Sequence, residues 1–229
     1  MSAHDEPGAV AERYARRSAG DRYHPLQPAV WRERQGRQRA LIDLLTRHAP
    51  RAVGELKVLE VGCGAGDNLL ELIGLGFDPA LLVGNELLPE RVETARRRLP
   101  AAVALHPGDG LALPFEPASF DIVYQSTVFS SLLDDAFQQR LAERMWHWVR
   151  PGGAVLWYDF TWNNPRNRDV RGVDMARVRA LFPQAKVDAR RVTLAPPLAR
   201  AFAGWPGVPA VLGAVPWLRT HRVVWLGKG

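Results

Sequence analysis

Val58-Leu59-Glu60-Val61-Gly62-Cys63-Gly64-Ala65-Gly66, followed by Asp67, is the stretch that decides the fold class. A short apolar run feeds a glycine-rich turn, and Leu69, Leu70, Leu72 and Ile73 then recur at helical spacing. Strand, turn and helix in that order bring backbone N–H groups to the carboxyl end of a sheet, where open α/β folds bind ligands. A dinucleotide fold carries its third glycine where Asp67 stands here, and a carboxylate at a helix start opposes a pyrophosphate. The Gly-Lys-Ser/Thr phosphate loop is absent too. Glu60 and Asp67 therefore favour a cationic ligand without phosphate.

Outward from this turn the periodicity alternates. Strands are expected at 57–61, 81–86, 103–106, 121–125 and 154–160, and helices at 31–48, 89–99 and 134–149. Alternating strands and helices imply parallel strands covered on both faces. Arg150-Pro151-Gly152-Gly153 reads as a tight turn before the fifth strand. After residue 160 come a polar loop, a helix near 174–182, a strand near 186–193 and a last strand at 221–226, the late pair antiparallel around an apolar insert. The expected fold is α/β: a Rossmann-like, doubly wound, mostly parallel seven-stranded sheet with an antiparallel late strand and helices on both faces. Residues 1–50 form an N-terminal arm and helix, the first 25 residues reading as mobile or partly helical. Residues 51–229 form the main domain, with 195–218 the insert.

Composition narrows the class. With 229 residues, 47% of them hydrophobic, the chain can bury one large core. The single cysteine, Cys63, excludes an intramolecular disulfide, and with no Cys/His pairs at zinc spacing no metal is expected. The polar first twelve residues lack the apolar core of a signal peptide, and a cytoplasmic location is expected. The uncharged run at 201–218 contains Pro206, Pro209 and Pro216, which argues against a spanning helix but leaves contact with a membrane surface open. The net charge of +6 is uneven: from Thr161 onward 12 Lys and Arg face 3 Asp. That bias marks either an anionic partner or a solvated, arginine-rich surface.

Five ordered elements carry a family resemblance: residues 58–66, Gly84-Asn85-Glu86, Gly108-Asp109-Gly110 with Leu113-Pro114-Phe115, Phe120-Asp121-Ile122-Val123, and Arg150-Pro151-Gly152-Gly153. Over roughly 55–160 the chain resembles class I S-adenosylmethionine-dependent methyltransferases, in the broad group of the ubiquinone and menaquinone enzymes. S-adenosyl-L-methionine carries a sulfonium and an ammonium and no phosphate, which suits the acidic turn. The resemblance implies that Glu60, Gly62, Gly64 and Gly66 bracket the methionine part and that Glu86 takes the ribose hydroxyls. It places Asp109 at the adenine amino group with Gly110 beside it, Leu87 against the ring, and Gln125 at the methionine moiety or the transfer point. In such enzymes an N-terminal arm folds over the cofactor, and Arg13, Tyr14, Tyr23 and His24 are the matching residues here.

Methyl transfer is an in-line displacement at an already activated carbon, so positioning supplies much of the rate and a base is optional. For a hydroxyl acceptor, Asp159 at the end of the fifth strand and His221 are the candidate bases. Tyr158, Trp162, Asn163 and Asn164 place aromatic faces and amides where an acceptor enters, a composition that suits a sugar or polar ring and also arises from turn chemistry. The late part is similar to methyltransferases of bacterial polysaccharide and secondary-metabolite clusters. The expected partner is a small-molecule acceptor, sugar-like or lipid-linked, bound by a monomer or homodimer. The alternatives are an RNA methyltransferase, disfavoured because Tyr124-Gln125-Ser126-Thr127 stands where an Asn/Asp-Pro-Pro-Tyr motif would be, and a non-catalytic adenosylmethionine or adenosylhomocysteine binder.

Overall fold

Four consecutive buried residues make up β1 (Val58–Val61), as expected of a strand covered on both faces. It lies between β2 (Leu82–Glu86) and β4 (Phe120–Ser126), parallel to both. With β3 (Ala104–Pro107), β5 (Val149–Phe160), β6 (Lys186–Leu194) and β7 (Arg219–Gly227) the sheet has the order β3-β2-β1-β4-β5-β7-β6. Only β7 runs antiparallel, inserted between β5 and β6. The chain reverses its direction across the sheet between β3 and β4, so β1 and β4 flank the topological switch point, where such sheets leave a crevice at their carboxyl edge. The computed structural model describes residues 5–16, 24, 26–163, 167–202, 204–205 and 207–229.

Side-chain alternation divides the core. Leu59, Val61, Val123 and Trp157 pack with α5 (Asp135–Trp148) and α6 (Met175–Leu181) on one face. Val58, Ile122 and Leu156 pack on the other face with α2 (Pro28–His48), α3 (Asp67–Gly74) and α4 (Pro89–Arg98). The apolar stripe of α2 is Ala40, Leu41, Leu44 and Leu45; burying one such leucine contributes roughly 1.5–3 kcal/mol. Ala49 turns to an extended conformation before Pro50 and ends α2. Asp134 starts α5 by accepting from the N–H groups of Ala136 and Phe137 at 2.8 and 2.9 Å.

One local reading changes, and the structure gives detail to two others. Arg150 to Gly153 is no turn ahead of the strand: these residues belong to β5, with a register irregularity opposite Phe120 and Ile122. A Cβ on Gly153 would lie 2.4 Å from the Asp121 carbonyl oxygen, so the glycine permits two backbones to approach. In the arm, α1 (Glu6–Ala15) is docked by polar groups that an apolar-period reading misses. Buried Arg13 pairs with Glu6 at 2.7 Å and donates to the Ser131 carbonyl, while Glu6 accepts from Leu133 N–H. The insert folds as α7 (Pro196–Ala201) and α8 (Val208–Ala214) followed by one 3-10 turn at Pro216–Leu218.

Candidate cofactor and acceptor site

The glycine turn is built from backbone that only glycine adopts without cost: Gly62, Gly64 and Gly66 have φ of +70°, +57° and +84°. A Cβ on Gly62 would stand 2.5 Å from Val128 Cγ2, so the space above the turn closes if a side chain is added. Gly66 caps α3 and lies against Leu99. The Glu86 carboxylate braces the turn, one oxygen accepting from Gly64 N–H at 2.8 Å and the other from Leu88 N–H at 2.9 Å. Asn85 ties the end of β2 to the next loop by donating to the carbonyls of His106 and Gly108.

Two adjoining cavities open at this edge of the sheet. The first, about 130 Å³, is lined by Glu86, Leu87, Asp109 and Gly110 beneath Val10 and Tyr14 of α1. The second, about 320 Å³, is lined by the turn residues Gly62 and Gly64, by Asn68, and by Arg34 and Arg37 from α2. Both share Gly62, Arg91, Ser126 and Thr127. Asp109 also accepts from Leu111 N–H at 2.9 Å, which orients its carboxylate at the cavity wall.

Glu60 lines neither cavity and is fully buried; one oxygen accepts at 2.6 Å from Asn68, which borders the second cavity, and the other has no partner among the described residues. Burial pushes its carboxyl up to about 8. A buried carboxylate one hydrogen bond behind the wall of the second cavity, with one oxygen still free to accept, suits an ammonium in that cavity. Asp67, expected to help in this, instead pairs with Arg98 at 2.7 Å on the outer side of the turn, although it still borders the second cavity.

The other predicted residues fall away from these cavities. Gln125 is buried; it accepts from Val128 N–H and donates to the Tyr158 carbonyl, holding the end of β4 and the loop after it, where Ser126 and Thr127 reach the site. Asp159 is buried, accepts from the N–H groups of Ser130 and Phe160, and is raised by burial to about 7. His221 stacks on Tyr158, and burial lowers its pKa to about 4. The Tyr158 hydroxyl meets Glu33 at 3.0 Å and Thr193 at 3.1 Å on the α2 side of the sheet. Trp162 is exposed, and Asn163 closes a loop by accepting from Gly172 N–H. Asn164 and Tyr23 lie outside the described residues. Arg190, one of the arginines of the basic last third of the chain, is occupied by Asp43 and Asp188.

Sequence reasoning missed Arg34, Arg37, Arg91 and Thr127. Thr127 has φ +58° at the junction of the two cavities, a strained conformation for a β-branched residue that no sequence signal announces. Arg91 stacks over Tyr14 at 4.5 Å and joins α1 to the cleft. A polar helix face carrying Arg34 and Arg37 reads in sequence as solvated surface.

A sheet of this order, with a glycine cradle at its switch point and acidic groups ending β1 and β2, defines a Rossmann-like methyltransferase fold. Residues 58–153 match the methyltransferase domain family. A demethylmenaquinone methyltransferase of Deinococcus radiodurans is 32% identical over 161 residues, covering 68% of this chain and 62% of that protein. The tRNA N(3)-cytidine methyltransferase METTL2B of Homo sapiens is 25% identical over 164 residues, covering 68% and 43%. A ubiquinone biosynthesis O-methyltransferase of Methylocella silvestris is 31% identical over 165 residues, covering 69% and 60%. Thus the chain spans about two fifths to three fifths of the length of these relatives. The geranyl diphosphate C-methyltransferase structure from Streptomyces coelicolor superposes with a TM-score of 0.65 at 13% identity, covering 98% of each chain. Residues 58–153 are thus similar in sequence to a methyltransferase domain, and the chain shares its fold with S-adenosylmethionine-dependent methyltransferase structures.

Proposed function

We propose that the protein is an enzyme transferring a methyl group from S-adenosylmethionine to a hydroxyl of a small molecule: a sugar, a glycan unit or a secondary metabolite, free or lipid-linked. The observation that carries the reading is the paired cavity, with Glu86 and Asp109 in one half and, in the other, a glycine cradle backed through Asn68 by the buried Glu60. Glu86 retains acceptor capacity for the ribose hydroxyls and Asp109 for the adenine amino group, while Leu87 offers an apolar face to the ring. Gly62 and Gly64 admit the methionine part over Glu60. Tyr14 and Arg91 cover this cleft, which fits residues 1–50 acting as the lid.

The bound cofactor supplies an electrophilic methyl on positive sulfur; the protein's part is to align the acceptor and exclude water. Asp159 and His221 do not reach either cavity, so a base at those positions would act only after rearrangement of the loop after β4. The quinone-pathway relatives favour a small-molecule acceptor. The tRNA-modifying relative, with the basic last third of the chain, favours RNA as the second reading. Incubating the protein with labelled cofactor and separate pools of nucleotide sugars, lipid extract, polar metabolites and tRNA decides between them: label in a small molecule supports the proposal, and label in tRNA alone overturns it.

A further inference from the structure

The insert between β6 and β7 carries apolar side chains that stay largely exposed among the described residues. Trp217 is 80% exposed, Val211 70% and Trp205 64%, with Val215 beside them. Soluble surfaces scatter such residues singly, whereas here four fall within the thirteen residues of sequence after Gly204 and before Leu218. Their location follows from the topology. β5 and β6 both run antiparallel to β7, so the carboxyl ends of β5 and β6 share the edge at which β1, β2 and β4 build the cavities. The insert that joins β6 to β7 therefore stands at that edge. It also meets α2 through α7, and α2 contributes Arg34 and Arg37 to the second cavity. Exposed Trp31 lies in the first turn of α2 and exposed Trp162 just past β5, both at the same edge.

Charge accompanies the apolar surface. From residue 189 to 229 the sequence has Arg190, Arg191, Arg200, Arg219, Arg222 and Lys228 and no acidic residue. Among the described residues Arg191, Arg200 and Arg222 enter no ion pair, and Arg191 lies 5.9 Å over the Trp217 ring. Arg191 and Arg222 face each other across β6 and β7, an arrangement of like charges that a bound anion would relieve. Tryptophans with arginines at their flank match the headgroup level of an anionic bilayer, where the indole is half in hydrocarbon and the guanidinium meets phosphate. No described helix is long and apolar enough to cross a membrane, so the contact is at the surface.

We infer that Trp205, Val211, Val215 and Trp217, flanked by Arg191 and Arg200, form a docking surface for an anionic lipid bilayer that brings the active-site edge to the membrane. The inference rests on the proposed function only for its consequence, that the acceptor is taken from or presented at the lipid surface. Binding itself does not depend on it.

The full chain is sedimented with vesicles of phosphatidylcholine alone and with 30% phosphatidylglycerol (about a third anionic lipid, enough to set a negative surface potential). Expected is partitioning to the anionic vesicles that salt weakens, about tenfold lower in Trp205→Ser/Trp217→Ser, with adenosylhomocysteine affinity by calorimetry unchanged as the control for folding. Arg191→Gln/Arg200→Gln is expected to lose the preference for anionic lipid and to keep a weak apolar component. Wild-type protein that stays in the supernatant with anionic vesicles, or a tryptophan variant that pellets like wild type, overturns the inference. So does a concentration-dependent dimer in sedimentation velocity that the tryptophan variant abolishes together with vesicle binding, because a second copy is then the occupant. Vesicle binding by a protein that fails to bind adenosylhomocysteine leaves the docking surface standing and removes the function.

Discussion

Replacing Glu60 by Gln tests the cofactor site at its most unusual group. Glu60 is fully buried, has one oxygen satisfied by Asn68 and one orphaned, and burial pushes its carboxyl up to about 8. At pH 6.5 the side chain holds its proton, and an ammonium placed over it must displace that proton. Each pH unit below the raised value then costs about 1.4 kcal/mol, so adenosylhomocysteine should bind about tenfold tighter per unit, or roughly 30-fold from pH 6.0 to 7.5. Above about pH 8 the ligand's own amino group deprotonates and the gain stops. Calorimetry in two buffers of different ionisation enthalpy counts the released proton: about one at pH 6.5 in the wild type and none in Glu60→Gln, whose affinity stays flat across the window. A wild-type affinity that does not change with pH, or a Gln variant with the same slope and the same proton release, would refute the placing of the ammonium over Glu60.

Gly62→Ala sets a Cβ against Val128 in backbone at φ +70°, and cofactor affinity measured by calorimetry should drop at least tenfold with the fold retained by circular dichroism. Tyr14→Ala removes the ring under Arg91 and should weaken cofactor binding by roughly threefold to tenfold, chiefly through faster release in stopped flow; an unchanged off-rate would argue against a lid. Asp159, raised by burial to about 7, keeps its proton in the folded state after the unfolded chain has lost it. Its contribution to stability is full below about pH 4 and is lost as pH rises towards 7, so Asp159→Asn should flatten denaturant midpoints in that window. His221, pushed down to about 4, has the opposite sign: stability falls as pH drops from 6.5 towards 4, and His221→Phe should remove that loss.

The fold was legible because each of its principal elements announces itself over a few adjacent residues. The buried, mostly apolar strands β1, β2 and β4, the glycine turn with positive φ and the helices with one apolar stripe all follow from local chain chemistry. Glu86, Leu87, Asp109 and Gly110 could be placed for the same reason, each sitting at a fixed offset from a strand end that the pattern locates. Asp159, Tyr158 and Gln125 were located on their strands equally well, but a strand end does not reveal where a side chain points. The pleat turns Tyr158 toward α2 and leaves Asp159 and Gln125 bonded to the loop backbone.

What the sequence by itself determined is the sheet, the crevice at its switch point and the glycine turn, since these depend on backbone conformation and on residues close together in the chain; the acidity read from Glu60 and Asp67 is offset by Arg98 on Asp67 and by the arginines that line the second cavity. Tertiary structure alone decided that α1 is anchored through the buried Glu6 and Arg13 pair, that Arg37 and Arg91 enter the cleft, and that the exposed tryptophans of the insert stand at the same edge as the cavities. Each of these unites groups far apart in sequence, and their meeting is set by the packing of helices on the sheet rather than by any periodicity along the chain.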